Sequence, residues 1–323
     1  MFKNSSNLSI SFCSRVVPRT ENSPSVATLI MPPQPVAQTI CAVVVTYYPD
    51  PGIADRIEKI RRQVGQTVIV DNGSPSSSVE EIKQIGEQPG VHLILNASNQ
   101  GIASALNAGA RWAASQGYRW VLTLDQDTAV GPEMVDSLSG VFRSYPSSER
   151  VAVIGSNYRH KVTGKVWLDE GSSPAREMKT VLTSGSLVSL DAFEAIGGFR
   201  DDFFIDCVDH EYCLRARARG YRILMTSKPV MEHGMGFLTE HRLLGRTFGT
   251  SNHSPLRRYF VARNSVILVR EFLSTEPEWV LWYLWMYAKS ILLICLFEGE
   301  RISKVKNTIR GCIDGILGRT RIV

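Results

Sequence analysis

Two carboxylates one residue apart are the feature of this sequence best suited to chemistry. An apolar run at residues 120–124 ends in Asp125, and Asp127 follows two positions later. If the run is a buried strand, this spacing brings both side chains to the mouth of a sheet, pointing the same way. Such a pair repels unless a cation lies between the two groups, and hard oxygen ligands suit Mg²⁺ or Mn²⁺. The alternative is that the two aspartates only cap the next helix.

The elements that position this pair can be predicted from the residues before it. Residues 40–45 form a β-branched run of the kind that is buried on both faces of a parallel sheet. Further strands are predicted at 67–70 and 91–95, and intervening helices at 53–63, 79–86 and 99–109. Alternating strands and helices predict an α/β fold with a mostly parallel, doubly wound sheet that binds its ligand at the carboxyl ends of the strands.

Polar residues follow each of these four strands, and a parallel sheet would bring them to one edge. An aspartate after the second strand could accept hydrogen bonds from a base or ribose, and an aromatic ring after the first could pack on a base. The candidate nucleotide-binding residues are Thr46, Tyr47, Asp71, Asn72, Asn99, Gly101, Asp125 and Gln126. Neither GxGxxG after the first strand nor GxxxxGK[ST] anywhere is present, which disfavours dinucleotide dehydrogenases and P-loop phosphotransferases.

The second half of the chain supplies a different set of candidates. Strands are predicted at 151–155, 165–168 and 221–225, and the β-rich stretch 180–188 is interrupted by Gly185. This glycine would allow a backbone to approach a sugar closely, although a bulge in a core strand explains it equally well. A helix is predicted at 208–219, with acids in its first turn and arginines in its last, a pattern that compensation of the helix dipole also explains. His233 is predicted to lie in a glycine-flanked loop after the last strand, placed for a metal or a diphosphate oxygen.

Composition limits the remaining possibilities. The 323 residues are 44% hydrophobic and carry a formal net charge of +5, and no nucleic-acid-binding motif accompanies that charge. The six cysteines show no metal-finger spacing and are interpreted as reduced thiols of a cytosolic protein. Residues 1–37 are rich in Ser, Asn, Pro and Thr and are predicted to be a disordered leader, unless translation starts at Met31. The expected organisation is this leader, a nucleotide-binding and catalytic domain at 38–250, and a helical region at 251–323.

The composition of the C-terminal region predicts that it contacts a membrane or a protein surface. Residues 279–297 are almost wholly apolar with one charge, Lys289, and a basic tail follows. We expect a helix that lies in the membrane interface or packs against a partner, with the tail on anionic headgroups. A buried helix or a face that joins two copies of the chain is the close alternative, and a membrane span comes third.

Five ordered blocks of the sequence resemble one known family. They lie at residues 44–47, 70–74, 99–101, 124–127 and 204–215. Together they resemble the inverting GT-A glycosyltransferases of family 2, and most of all the bacterial rhamnosyltransferases of cell-surface polysaccharide and O-antigen synthesis. A sixth block at 257–264 resembles the Arg-Tyr-Phe and Arg-Asn motif that follows the catalytic core in those enzymes, and its basic face could meet a diphosphate.

The resemblance implies a role for several of the candidate residues. Asp71 would contact the base or ribose, Asp125 would lie near the ribose, and Asp127 would bind the metal, with His233 as a third ligand or diphosphate contact. Asp209 would be the general base that takes the proton of the acceptor hydroxyl. Asp206 is the weaker candidate for that role.

Other residues of the second half are candidates for acceptor or sugar contact. Glu211 either orients the acceptor or pairs with Arg215. The remaining candidate contacts are Ser184, Gly185 and Arg263.

The function expected from the resemblance is transfer of L-rhamnose from dTDP-rhamnose to a saccharide, which we expect to be lipid-linked, at the cytoplasmic face of the membrane. Galactofuranose, mannose or glucose remain as donor sugars, and UDP remains as a carrier, because no readable motif separates them. A sugar-1-phosphate nucleotidyltransferase also uses paired aspartates with Mg²⁺, but residues 46–51 do not form the Gly-rich phosphate loop that it would need. A non-catalytic module that binds a sugar nucleotide is the third hypothesis. The C-terminal helices could also form a homo-oligomer.

Overall fold

The computed structural model describes residues 33–161, 164–169, 173–234, 239–243 and 246–320, without the side chains of His233, Leu243 and Arg246. Most of the predicted leader at 1–37 therefore lies outside the described residues.

Strands and helices alternate through the first half of the chain, and helices dominate after residue 250. The strands are β1 (Ile40–Thr46), β2 (Gln66–Asp71), β3 (Val91–Leu95), β4 (Trp120–Asp125), β5 (Ala129–Val130), β6 (Val151–His160), β7 (Ala175–Glu177), β8 (Ser186–Ser189), β9 (Arg222–His233), β10 (Thr239–Leu243) and β11 (Arg246–Thr250). The α-helices are α1 (Ile53–Arg61), α2 (Glu80–Gly86), α3 (Ile102–Ser115), α4 (Met134–Ser144), α5 (Leu190–Ile196), α6 (Val208–Ala218), α7 (Pro255–Phe272), α8 (Pro277–Phe297) and α9 (Arg301–Ile316).

The central sheet has the order β3-β2-β1-β4-β8-β6-β9-β5, with β7 paired to β9, and β10 and β11 form a separate hairpin. The first four strands in this order are mutually parallel, so their carboxyl ends share one edge. Strand β8 runs antiparallel to both β4 and β6, and β9 is parallel to β6. A mostly parallel sheet flanked by helices confirms the predicted α/β class.

Burial on both faces explains why the predicted parallel strands form. Every residue of β1 is buried, as expected for a β-branched run covered by helices on each side. Helix α3 lies so close to this strand that a Cβ on Gly109 would come within 2.4 Å of Cγ1 of Val43. A small residue at this position therefore lets the helix that begins at the ligand-binding edge pack directly on the sheet.

The second half departs from the predictions in several places, among them β6, which was predicted at 151–155 and extends to His160. Residues 165–168 form only a single bridge, between Arg159 and Val166, so they are not an edge strand. The stretch 180–188 is strand only from Ser186 onward. Strand β9 is longer than predicted and reaches His233, so the prediction of a loop at that histidine was wrong.

The C-terminal helices α7 and α8 share a hydrophobic core with the α/β part of the chain. Ile267, Leu268 and Phe272 of α7, together with Trp279 and Val280 of α8, belong to the same buried cluster as residues of β1 and α6. Helix α9 packs along α7. The boundary at residue 250 coincides with the end of β11, while the division into separate domains remains a prediction.

Candidate active site

Asp71 is a buried anchor at the edge where β1 and β2 end. It is 1% exposed, and its carboxylate accepts hydrogen bonds from the Thr46 hydroxyl (3.0 Å) and from the amide (2.8 Å) and hydroxyl (2.7 Å) of Ser74. These bonds hold the loop after β2 against the end of β1. Thr46 is fully buried, so its predicted role as a nucleotide contact becomes one of positioning. Direct contact of Asp71 with a base or ribose remains a prediction.

Asn72 joins two loops of the same edge. Its amide nitrogen donates to Oδ1 of Asn99 and to the carbonyl of Gly101, both at 3.0 Å. Its Oδ1 accepts from Nδ2 of Asn96 and from the amide of Gln100, both at 3.0 Å. Every hydrogen-bonding group of this buried side chain is therefore used internally, so Asn72 shapes the site, and its contact with a nucleotide sugar remains a prediction.

Gly101 connects this edge to the second half of the chain. Its φ is +86°, and a Cβ there would lie 2.5 Å from the carbonyl oxygen of Phe204. The same carbonyl accepts a hydrogen bond from the amide of Ile102 at 2.7 Å. Glycine is therefore required at this position for close approach of the segment that leads to Asp209.

Tyr47 and Tyr48 are exposed aromatic side chains at the edge where β1, β2, β3 and β4 end, called the donor edge below. Their rings are 42% and 54% exposed and meet edge to face at 4.7 Å. The backbone amide of Tyr47 donates to Oε1 of Gln126 at 2.9 Å, and the carbonyl of Gln126 accepts from Nε of Arg56 at 2.6 Å. Gln126 therefore holds the turn after β4 against the end of β1 and leaves a tyrosine platform suited to stacking a base.

The two aspartates of the strand end differ in exposure. Asp125 is partly buried at the end of β4, whereas Asp127 is exposed. The Asp125 amide donates to Oγ of Ser184 at 2.9 Å, and Ser184 shares a 2.6 Å hydrogen bond with the Thr128 hydroxyl. The turn therefore presents the Asp127 carboxylate to solvent, which a ligand for a diphosphate-bound cation requires.

Ser184 and Gly185, the predicted sugar contacts, both make close contacts within the protein. Ser184 is 3% exposed, and its hydroxyl is used to hold the turn that carries the aspartates. Gly185 has φ +79°, and a Cβ there would overlap the Met231 side chain, with Sδ at 2.3 Å. The close approach that this glycine permits is therefore to a side chain of the core, at the residue directly before strand β8.

The segment 204–207 leads to the predicted base through an unusual backbone. Phe204, Asp206 and Cys207 have φ values of +58°, +64° and +62°, which non-glycine residues rarely adopt. Asn264 of α7 stabilises this conformation, since its Nδ2 lies 2.9–3.0 Å from the carbonyls of Phe203, Ile205 and Asp206. Strained backbone held by surrounding contacts is typical of functional sites.

Three carboxylates of this region have different partners. Nε and Nη2 of Arg257 donate to the Asp206 carboxylate, both at 2.9 Å. Arg215 donates to both oxygens of Glu211, at 2.6 and 2.9 Å. Asp209 forms no ion pair with a lysine or arginine among the described residues, and its Oδ1 accepts only the amide of His210 at 2.8 Å. Its side chain, in the first turn of α6, is 18% exposed and that of Asp206 is 19% exposed, so what distinguishes Asp209 is that no guanidinium pairs with it among the described residues.

Glu211 is too buried for the predicted alternative of acceptor contact. It is 1% exposed, and burial raises the pKa of its carboxyl against the opposing effect of Arg215. Arg215 also donates to the carbonyls of Ile196 and Gly198. The predicted pairing with Arg215 is confirmed, and it ties α6 to the turn after α5.

Arg257 links the two halves of the site. Burial alone would lower its pKa, but the hydrogen-bonded Asp206 carboxylate and the charge of Asp125 raise it above the ordinary value. Its side chain is 39% exposed. Arg257 therefore pairs with Asp206 while its charge also interacts with that of Asp125, a relation that sequence spacing alone did not indicate.

The other arginines of the 257–264 block point into the protein. Arg263 is 0% exposed, lies 5.0 Å from the centre of the Phe260 ring, and donates to the carbonyl of Asp202. Arg258 is 5% exposed and donates to Glu298 at 2.7 Å. Arg258 and Arg263 are therefore engaged within the protein, whereas the Arg257 side chain is 39% exposed, and contact of Arg263 with acceptor or sugar remains a prediction.

The metal-binding hypothesis has partial support from the residues present. Two carboxylates at one strand end are a suitable donor set for a cation that keeps several water and phosphate ligands, as Mg²⁺ does. Within the described part of the chain, no three His, Cys, Asp or Glu side chains come together as a metal-binding group. The His233 side chain lies outside the described residues, so its role as a third ligand remains a prediction.

His253 lies beside this site and has an altered pKa. Burial and the nearby Arg257 and Arg258 lower the pKa of its imidazole to about 4, against the opposing charges of Asp206 and Glu298. The folded pKa lies below the ordinary value of 6.5, so the unfolded chain binds the proton first as the pH falls. The stability contributed by neutral His253 is present above pH 6.5 and is lost as the pH falls toward about 4.

Replacing His253 by glutamine is expected to flatten the decrease of Tm over this acidic window, because the substituted side chain does not titrate. Thermal melts of both proteins at closely spaced pH values measure the effect, with His241→Gln in the β10–β11 hairpin as the matched control. Parallel curves for wild type and His253→Gln would show that His253 contributes nothing to the acid dependence.

Comparison with known proteins agrees with this geometry. Residues 41–196 match the family model described as "Glycosyl transferase family 2". That range contains Asp71, Asp125 and Asp127, and Asp209 lies beyond it. Over 301 residues the chain is 29% identical to "dTDP-rhamnosyl transferase RfbF" of Shigella flexneri, a match that covers 87% of this chain and 96% of the relative.

Solved structures show the same fold at low sequence identity. S. aureus TarS in complex with UDP-GlcNAc has a TM-score of 0.55 and 15% identity, over 87% of this chain and 82% of that one. GalNAc-T7, solved with UDP, GalNAc and Mn²⁺, has a TM-score of 0.55 and 14% identity, over 72% of this chain and 47% of its own. Both likenesses concern the fold, which is GT-A. The family model matches a domain of this chain, the Shigella relative matches most of the chain, and the fold is GT-A. The chain is therefore a GT-A glycosyltransferase with a family 2 domain.

Proposed function

We propose that this enzyme transfers L-rhamnose from dTDP-rhamnose to a saccharide acceptor with inversion at the anomeric carbon, in cell-surface polysaccharide synthesis. The observation that carries the proposal is the accessible Asp209 carboxylate, which lacks the guanidinium partner that both Asp206 and Glu211 have. The donor sugar rests on the likeness to the Shigella relative. Galactofuranose, mannose and glucose are the alternatives that a donor screen would separate.

The geometry supports a single displacement. Asp209 takes the proton of the acceptor hydroxyl while that oxygen forms a bond to C1 of the sugar, and the bond between C1 and the diphosphate oxygen breaks on the opposite side, releasing dTDP. The platform of Tyr47 and Tyr48 would stack the base. The contact between Gly101 and Phe204 holds the donor edge and the Asp209 segment in register.

Asp127, with Asp125 beside it and His233 as the predicted third group, would hold Mg²⁺ or Mn²⁺. A divalent cation bound there supplies stabilisation of the negative charge on the departing diphosphate. Arg257 adds a positive charge from the chain itself at the same edge.

We place the enzyme in the cytoplasm, at the inner face of the cell membrane, with a lipid-linked acceptor. The free cysteines of the described chain, two of them exposed or partly exposed, suit a reducing compartment. No nucleic-acid partner is expected, and association of two copies through the C-terminal helices is the alternative use of that surface.

A thermal-shift screen tests the donor site. Purified protein is melted with dTDP, UDP, GDP or CDP, each with Mg²⁺, Mn²⁺ or EDTA, because a ligand that binds only the folded state raises Tm. We expect a metal-dependent shift with dTDP. A shift with UDP alone would assign a different donor, and no shift with any nucleotide would reject the site.

Asp127→Asn is expected to abolish the metal-dependent part of the dTDP shift, because a neutral amide is a much weaker ligand for a hard cation. The matched control is Asp136→Asn, an exposed aspartate in the first turn of α4. An unchanged dependence on Mg²⁺ in Asp127→Asn would remove Asp127 from the metal site.

A further inference from the structure

Helix α8 is apolar on the side that faces away from the protein. Its inner stripe packs inward, with Trp279, Val280 and Ile294 buried. The outer side carries Leu281 (63% exposed), Trp282 (47%), Trp285 (61%) and Leu292 (59%). A helix on the surface of a soluble domain normally has polar residues there. The outer side of α8 therefore requires a partner that is not part of the described chain.

Helix α9 carries its large apolar side chains on the outer side, where a helix of a soluble protein normally carries polar ones. Its inner side carries Gly311 and Gly315, where a Cβ would lie 2.3 Å from the Tyr259 carbonyl oxygen and 2.7 Å from that of Arg263. Its large apolar side chains point outward and include Ile302 (87% exposed) and Ile316 (63%). The glycines let α9 pack tightly on α7, so the outer isoleucines do not contribute to the protein core and extend the apolar surface of α8.

The charges on this surface are mainly positive. Lys289, Lys306 and Arg310 are exposed, and none has a carboxylate partner within the part of the chain that the structure describes. The Lys289 ammonium lies 5.6 Å over the Trp285 ring. Glu298 next to this surface is buried between Arg258 and Lys304, so its charge is already neutralised.

A shallow groove of about 440 Å³ combines both properties. Its lining is Cys295, Ile302, Val305 and Ile309 with Arg301 and Lys306. Apolar walls beside two cations suit an acyl chain that ends in a phosphate headgroup.

We propose that the outer surface of α8 and α9 docks the enzyme on an anionic lipid bilayer, with both helices in the plane of the interface. Exposed tryptophans together with flanking cations are the composition of interfacial helices. A second copy of the chain is disfavoured, because a two-fold interface would bring these unpaired cations against each other. Helix α8 is long and apolar enough to span a membrane. However, Trp279 and Val280 at its start and Ile294 near its end are buried against the rest of the protein, which favours a helix lying in the interface over a span.

This surface would also place the acceptor side of the site near the bilayer. Trp279 and Tyr283 of α8 pack on His210, with ring centres at 5.3 and 5.7 Å, and His210 adjoins Asp209. Asp209 is thus separated from the docking surface by about one helix diameter, roughly 10 Å. Resting on the proposed function, this arrangement suits an acceptor whose saccharide lies just above the lipid headgroups.

Vesicle co-sedimentation of the full chain without nucleotide tests the docking. We expect binding to equimolar phosphatidylcholine–phosphatidylglycerol vesicles that weakens at least about tenfold in pure phosphatidylcholine or at high salt. Trp285→Ala and the double variant Lys306→Glu/Arg310→Glu should each lose about tenfold in partitioning. Trp167→Ala and Lys161→Glu are the matched controls, since Trp167 is 56% exposed and Lys161 is also exposed.

Several results would overturn the docking proposal. Absence of wild-type binding to anionic vesicles would overturn the proposal, as would binding that is indifferent to lipid charge and salt. Equal losses in the control variants would also overturn it. If Trp285→Ala instead converts a dimer to a monomer in analytical ultracentrifugation and leaves vesicle binding intact, the surface joins two copies. The dTDP thermal shift of the same preparations reports on the donor site separately, so failure of docking and failure of the proposed function can be distinguished.

Discussion

Replacing Asp209 by asparagine is expected to lower turnover by about 10²-fold or more while dTDP binding and its metal dependence stay unchanged. Asparagine keeps the size of the side chain and can still accept the hydrogen bond from the His210 amide that Asp209 accepts at 2.8 Å. It cannot take the acceptor proton at neutral pH. The loss should therefore appear in kcat and not in donor affinity.

The measurement is dTDP release under saturating donor, together with the thermal shift by dTDP. Asp206→Asn is the comparison, because that carboxylate is already paired to Arg257 and removing its charge should disturb position more than proton transfer. Near-normal turnover in Asp209→Asn, combined with a larger loss in Asp206→Asn, would move the base to Asp206.

Asn264→Ala is expected to lower both stability and turnover, although the side chain itself is fully buried. The change leaves the carbonyls of Phe203, Ile205 and Asp206 without the amide that lies 2.9–3.0 Å from them. Loss of a buried donor that serves several acceptors costs about 2–3 kcal/mol in the free energy of unfolding. Because the same segment carries Asp209, we expect kcat to fall about tenfold as the base moves out of position.

Urea unfolding gives the free energy, and kinetics well below the Tm of the variant separate kcat from stability. Donor affinity should not change, since Asn264 supports the acceptor side. Asn307→Ala on α9 is the matched control, because its amide donates only to a carbonyl of its own helix, that of Ser303, and its expected effect is within about 0.5 kcal/mol. A normal kcat in a destabilised Asn264→Ala would limit this residue to a structural role.

The comparison of sequence with structure separates local from long-range information. Strand β3 was predicted with the observed bounds, and β1 and β2 within one residue at each end, because continuous apolar runs between turn signals are local patterns. Strand β9 was predicted too short and residues 165–168 were assigned a strand that does not form. Both errors lie in the second half of the chain, where β9 pairs with β5, β6 and β7, so that pairing with distant strands decides strand length.

The candidate site shows the same difference between local and long-range information even more clearly. The sequence indicated which residues collect at the ends of the parallel strands, but not which of them face a ligand. Thr46, Asn72, Ser184 and Arg263 are all buried and bonded within the protein, although each was predicted to contact a substrate. Asn264 was not predicted at all, and the only signal for it was its position in the block at 257–264.

By itself the sequence determined the α/β class, the edge at which Asp125 and Asp127 lie, and the resemblance to glycosyltransferases, because these depend on apolar periodicity and on short ordered motifs. Only the tertiary structure showed which acids of α6 and its preceding loop are paired with an arginine. The partner of Asp206 is Arg257, 51 residues away, and the outward face of α9 depends on glycines that pack against α7. Charge neutralisation and burial are set by neighbours in space, and chain folding alone brings those neighbours together.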